Sequence, residues 1–158
     1  MRELKFRYTY KRKEDGKIWQ QIIPIECLEG KGDKVDIDNA FWEIIGRDLY
    51  TGLKDKNGKE IYEGDIRSKV DELNNRINKR KIRFGVIKFG EYSCSCDEYS
   101  SSQYGFYLDG YDEYERTDGE IDRYPNEFSL MDCLDMVSIG NIYENPELLK
   151  DGTHAESQ

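Results

Sequence analysis

A mostly β fold is predicted, built from small twisted barrel or sheet units with one short inserted helix and a C-terminal helical turn. Three observations predict it. Leu4, Phe6, Tyr8 and Tyr10 alternate with Lys5, Arg7 and Thr9, the period-two spacing of a half-buried strand. Twelve tyrosines and an aromatic content of 13% suit pleated faces, where rings pack and hydroxyls reach water, and they are too many for a disordered chain. Between Ile44 and Ile66, Gly46, Gly52, Gly58 and Gly64 recur every six residues among the apolar anchors Leu49, Leu53 and Ile61. That run reads as a compact, turned connector, with Asn57-Gly58 as its strongest turn signal.

The elements follow in order. Leu4 to Tyr10 is a strand whose apolar phase is expected to face inward. Glu14-Asp15-Gly16-Lys17 is a hairpin turn, and Ile18 to Ile25 returns, with Pro24 marking an edge or a strand end. The basic residues Lys11, Arg12, Lys13 and Lys17 ring that turn as a solvated tip. Val35 and Ile37 make a short strand, and Phe41 to Ile45 another, with Trp42 in the core or an interface. A strand begins at Ile61. From Ser68 to Lys81, Val70, Leu73 and Ile77 are spaced as one apolar stripe, which predicts a helix capped by Ser68 with bases at its end.

Ile82, Phe84 and Val86 share one strand phase, whereas Ile87 and Phe89 share the other, which predicts a bulge near Gly85. Cys94 to Gln103 reads as a surface loop and Tyr104 to Leu108 as a strand. The acidic run from Asp109 to Asn126 reads as a loop or hairpin tip. Leu130 to Met136 is a short helix and Val137 to Tyr143 the closing strand. Asn145-Pro146-Glu147 then starts a helical turn. Residues 1–150 are read as one domain, or as two intertwined halves, 1–44 and 45–150, with the helical insert at 68–81. Residues 151–158 are a polar, disordered tail.

The run from Thr51 to Ile66, TGLKDKNGKEIYEGDI, resembles the central signature of the YopX family of phage and prophage proteins. Met1 to Arg7 is similar to that family's usual start, and Ile139 to Leu149 to its usual end. The resemblance implies a phage origin, a bacterial cytoplasm, a β-rich fold and self-assembly. It implies no activity and supplies no functional residues. Separately, Gly64-Asp65-Ile66 and Gly85 to Gly90 resemble the strand and turn pattern of small SH3-like barrels, some of which bind nucleic acid.

Composition narrows the function classes. Residues 1–90 hold 21 Lys and Arg against 16 Asp and Glu, and residues 91–158 hold 3 against 17. Such a split suits head-to-tail association or an acidic partner face, unless the charges mix on folding. No apolar run reaches the ~18 residues a membrane span needs. No charged-then-apolar leader precedes the first strand, so a cytoplasmic protein is expected. Cys94 and Cys96 form the one close cysteine pair, with Cys27 and Cys133 remote, and a C-x-C alone is not a zinc spacing. No metal and no cofactor are expected. The single histidine, His154, lies in the tail, which leaves no His-dependent triad. The carboxylates Asp109, Asp112, Glu113 and Glu115 read as a solvated face before a glycosidase-like pair. No catalytic residues are assigned and no enzyme is expected.

Two binding surfaces are candidates. The basic insert carries Arg76, Lys79, Arg80, Lys81 and Arg83, which would contact phosphates, with Phe84 or Tyr62 stacking bases. A net charge of -9 opposes nucleic acid. The second surface combines Tyr107, Tyr111 and Tyr114 with Asp109, Asp112 and Glu113, an interface composition suited to a second copy or to a host or phage protein. The function expected is that of a phage-encoded, non-enzymatic, self-associating accessory protein, with nucleic-acid binding as the alternative.

Overall fold

The computed structural model describes residues 3–32, 37–73, 75–93 and 102–150. It is mostly β, in two twisted antiparallel sheets that do not close into a barrel. The first sheet has the order β2-β1-β3-β4, from β1 (Lys5–Arg12), β2 (Ile18–Pro24), β3 (Trp42–Lys54) and β4 (Glu60–Tyr62). The second has the order β8-β7-β6-β5-β9, from β5 (Asp65–Glu72), β6 (Asn78–Ser93), β7 (Ser102–Arg116), β8 (Ile121–Ser129) and β9 (Val137–Asn141). The helices are two single turns, α1 (Ile25–Leu28) and the expected C-terminal turn α2 (Glu147–Lys150). A 3-10 turn spans Leu130–Cys133, where a short helix was expected. Val35, Cys94, Cys96, His154 and the predicted tail lie outside the described residues.

The predicted helix over 68–81 is a β-hairpin instead. β5 runs on to Glu72 and β6 starts at Asn78, with Val70 opposite Ile82. The reason is electrostatic as well as apolar. In this register Asp71 faces Lys81 and Glu72 faces Arg80 across the ladder, and opposite charges placed directly across a strand pair stabilise it. On its other side β6 meets the acids of β7. Arg80 pairs with Glu115 at 2.9 Å, Lys81 with Asp112 at 2.8 Å, and Arg83 grips Asp112 with both ends of its guanidinium. The acidic run from Asp109 to Asn126 is therefore strand on both sides of a tight turn near Gly119, not a loop.

No bulge occurs at Gly85. The register of β6 with β5 and with β7 passes through it unbroken, and Gly85 sits opposite Gly110. The change of apolar phase has another cause, namely that this ribbon is covered on both faces. Ile87, Leu108 and Phe128 lie side by side on one face and form the core with Ile61, Leu130, Cys133 and Met136. Phe84 and Val86 point to the opposite face. Arg67, wholly buried, ties the 3-10 turn to β5 by donating to the carbonyls of Met136 and Cys133. Burial lowers its pKa, and among the described residues its Nε and Nη1 find no hydrogen-bond partner.

In β1 the alternation is as expected but its direction is reversed. Lys5, Arg7 and Thr9 are buried, whereas in the apolar phase Phe6 and Tyr8 are only half-buried and Tyr10 alone is buried. Lys5 reaches Glu60 at 2.6 Å and lies over the Tyr50 ring, and Arg7 reaches two aspartates. Tyr8, Tyr10, Trp19 and Trp42 instead make a ladder of rings on the other face of the first sheet. The predicted connector is in large part the long strand β3. It crosses to β4 by a turn at Asp55–Gly58 and passes to the second sheet at Gly64, whose N–H donates to Ile87 and whose carbonyl accepts from Ile142.

A candidate partner groove between the two sheets

The second face of the β6–β7 ribbon, the first sheet and the C-terminal segment enclose a groove of about 710 Å³. Its floor is Phe84 and Tyr111, which face each other across the ladder with ring centroids 5.4 Å apart. Val86 continues the floor. The Arg123 guanidinium lies 4.4 Å over the Tyr111 ring and holds Glu113 at 2.7 Å. Lys88 and Asp109 pair at 2.5 Å nearby. Ile142, Tyr143 and Leu149 line the groove from the C-terminal segment, and Arg47, Asp48 and Glu63 from the first sheet.

The joint between the sheets is a buried charge network under this groove. Arg7 Nε and Nη2 donate to Asp48 Oδ2 at 3.0 and 2.8 Å, and Nη1 donates to Asp65 Oδ1 at 2.5 Å. Nη2 also donates to the Glu63 carbonyl, and the Tyr143 hydroxyl donates to Asp48 Oδ1 at 3.1 Å. Tyr143 fits because residue 46 is glycine: a Cβ there would run into the tyrosine ring. Burial, with Asp48 alongside, pushes the Tyr143 hydroxyl up to about 12. Burial also raises the Asp48 carboxyl, against the pull of Arg7 and Tyr143.

Glu63 is raised as well, first by burial and then by the charge of Asp48. Its ionised form is thus disfavoured in the folded protein. That cost is fully present above its folded pKa and vanishes below the ordinary glutamate value of 4.5. Glu63→Gln should therefore be more stable than the parent at neutral pH, and the gap should close as the pH falls toward 4.5. Urea melts across that range check it; a gap that widens on acidification would contradict the assignment.

The structure separates the residues singled out from the sequence. Tyr111 and Asp109 line the groove, and Glu113 reaches it through Arg123. Asp112 and Tyr114 lie on the opposite face, beside a smaller depression of about 510 Å³, where Lys81 and Arg83 hold Asp112. Tyr107 is buried and stacks on Tyr92 with centroids 5.0 Å apart. Arg80, Lys81 and Arg83 are tied to acids of β7, so the two candidate surfaces neutralise each other along one strand pair. Arg76 and Lys79 stand exposed at the hairpin tip. Tyr62 is buried with its hydroxyl on Glu60 at 2.7 Å, and so offers no ring for a base, whereas Phe84 faces the groove.

Glu63, Ile142, Tyr143 and Leu149 fall within the runs that resemble the family, but neither they nor Arg47 and Asp48 were singled out as a site. The one signal was the second apolar phase at Phe84 and Val86, which marks a ribbon covered on both faces. Among the described residues no group of three or more His, Cys, Asp or Glu is placed to hold a metal ion. Cys133 is buried in the core, with its thiol pushed up to about 11. Among the described residues no helix is long and apolar enough to cross a membrane. In comparisons with known proteins, no curated protein and no solved structure matches the chain. The family model described as YopX protein matches residues 6–150, nearly the whole chain, and the protein therefore belongs to the YopX family.

Proposed function

We propose that this is a phage-encoded, non-enzymatic, self-associating accessory protein that works in the bacterial cytoplasm by holding a protein partner in the groove between its sheets. The observation that carries the reading is how the groove's charges are used. Asp48 is held by Arg7 and Tyr143, Asp109 by Lys88, and Arg123 by Glu113. These paired groups position a surface; of the charges that line the groove, Glu63 and Arg47 stand outside these ion pairs. What the groove offers a visitor is an aromatic and aliphatic floor with a polar rim, the anatomy of a protein-binding patch. Nucleic-acid binding through the insert is the weaker reading, because acids of β7 already occupy Arg80, Lys81 and Arg83.

The test is affinity capture from cells carrying the phage, comparing the parent with the double variant Phe84→Ala/Tyr111→Ala. Truncating two anchoring rings should cost a bound partner about 100-fold in affinity, as central aromatic positions commonly do. Equal recovery of the same partner by both proteins would overturn the reading. Solution mass by light scattering at low and high salt tests self-association, which a monomer under both conditions would exclude.

A further inference from the structure

The second sheet ends in strands that resist pairing. β8 carries Asp122, Arg123, Pro125 and Glu127 along its length, and β9 is only five residues long. In the first sheet β4 has three residues, one of them Glu60. Charges, proline and shortness are the usual devices that keep an edge from recruiting another strand. β2 has none of them before its last residue. It reads Ile18-Trp19-Gln20-Gln21-Ile22-Ile23-Pro24, with no charge. Among the described residues it pairs on one side only, with β1. Apolar side chains gather along this edge: Leu4, Trp19, Ile22 and Leu28 are each between 43% and 46% exposed.

The direction of its backbone groups follows from the hairpin. Arg12 N–H donates to the Lys17 carbonyl and Ile25 N–H to the Leu4 carbonyl, each at 2.9 Å. Hydrogen-bonded pairs alternate along an antiparallel ladder. In the observed register Trp19, Gln21 and Ile23 therefore bond inward to Tyr10, Tyr8 and Phe6. Ile18, Gln20 and Ile22 turn their N–H and C=O outward. Pro24, which has no N–H to offer, is in the outward set, the position an edge tolerates.

We propose that β2 is the seam between two copies of this chain, pairing antiparallel with its own symmetry mate about Gln20. This inference rests on the self-association proposed above and names its interface. A two-fold axis at Gln20 puts Ile18 opposite Ile22 of the second copy, Gln20 opposite Gln20, and Trp19 opposite Gln21. That register satisfies every outward donor of Ile18, Gln20 and Ile22, with about six backbone hydrogen bonds, and needs nothing from Pro24. Moving the axis to Gln21 would set Ile18 against Pro24 and leave the Ile18 carbonyl unpaired. The strand is self-complementary in the chosen register, apolar against apolar and amide against amide, with no like charges facing. The two first sheets would join into one continuous sheet, and Trp19 and Ile22 would cover the seam on opposite faces.

The experiment combines cross-linking with solution mass. Gln20→Cys should give a symmetric disulfide dimer under mild oxidation, since directly opposed Cα atoms lie about 5.5 Å apart. Ile22→Cys should not, because two copies of residue 22 would be about 13 Å apart along the strands in this register. The parent, with its native cysteines, is the control. Ile22→Lys should lower the solution mass of the folded protein, a charge being a natural edge protector. If the parent is a multimer, but Gln20→Cys gives no dimer beyond the parent, the β2 seam is wrong and self-association uses another surface. If the parent is a monomer, both fall. Should Ile22→Lys fail to fold by circular dichroism, the contrast between the two cysteine variants decides alone.

Discussion

Arg7→Met is expected to cost about 3–5 kcal/mol of stability, because it removes the one guanidinium that serves two buried carboxylates. Asp48 and Asp65 are 3% and 2% exposed, and Arg7 bonds both. Without it, Asp48 keeps only the Tyr143 hydroxyl and Asp65 only the Tyr62 N–H. Neither of those supplies a positive charge, and an unpaired carboxylate in such a place must protonate or draw the sheets apart. The loss corresponds to a fall of about 10 °C in the unfolding midpoint for a chain of this size. Arg7→Lys should fall between the two, since an ammonium cannot bridge both aspartates with fixed geometry. Thermal melts of the three proteins check the order. A midpoint for Arg7→Met within about 2 °C of the parent would mean that the network does not hold the sheets together.

Gly110→Val should be at least as damaging, with a loss of at least about 3 kcal/mol. Gly110 faces Gly85 across the β6–β7 ladder. A Cβ on Gly110 would lie 2.6 Å from the Gly85 Cα and press on the Phe84 carbonyl. Those are backbone atoms, and no side chain can swing aside to make room. The ribbon would have to open at the point where its two faces carry the core and the groove. Gly110→Val should therefore weaken the Phe84–Tyr111 stack along with overall stability, and the near-ultraviolet circular dichroism of the tyrosines should report it. Val placed at Gly105, where an added Cβ meets nothing, is the control and should melt close to the parent.

Much of the fold was legible in the sequence. The β1–β2 hairpin, the strand after Ile61, the strand at Tyr104, the closing strand and the C-terminal turn are where turn chemistry and period-two alternation placed them. These are local signals, and the energies behind them act between near neighbours. The insert shows where local signals mislead. Val70, Leu73 and Ile77 do have helical spacing, but the hairpin register sets Lys81 and Arg80 opposite Asp71 and Glu72 on one side, and Arg80 and Lys81 form ion pairs with Glu115 and Asp112 on the other. Strand pairing on both sides, with ion pairs to β7, outweighs an apolar stripe of three residues.

The site was less legible, because its walls come from six separate parts of the chain. Asp48, Glu63, Phe84, Tyr111 and Tyr143 share no spacing that a motif could display. By itself the sequence determined the β class, the positions of most strands and turns, and membership of the family. Only the tertiary structure decided which side of β1 faces in. Alternation gives a strand its period but not its sign, and the sign was set by partners far along the chain. Arg7 can turn inward because Asp48 and Asp65 wait there, 41 and 58 residues away. With its charge answered, the polar phase makes the joint between the sheets and leaves Phe6 and Tyr8 half-buried on the other side.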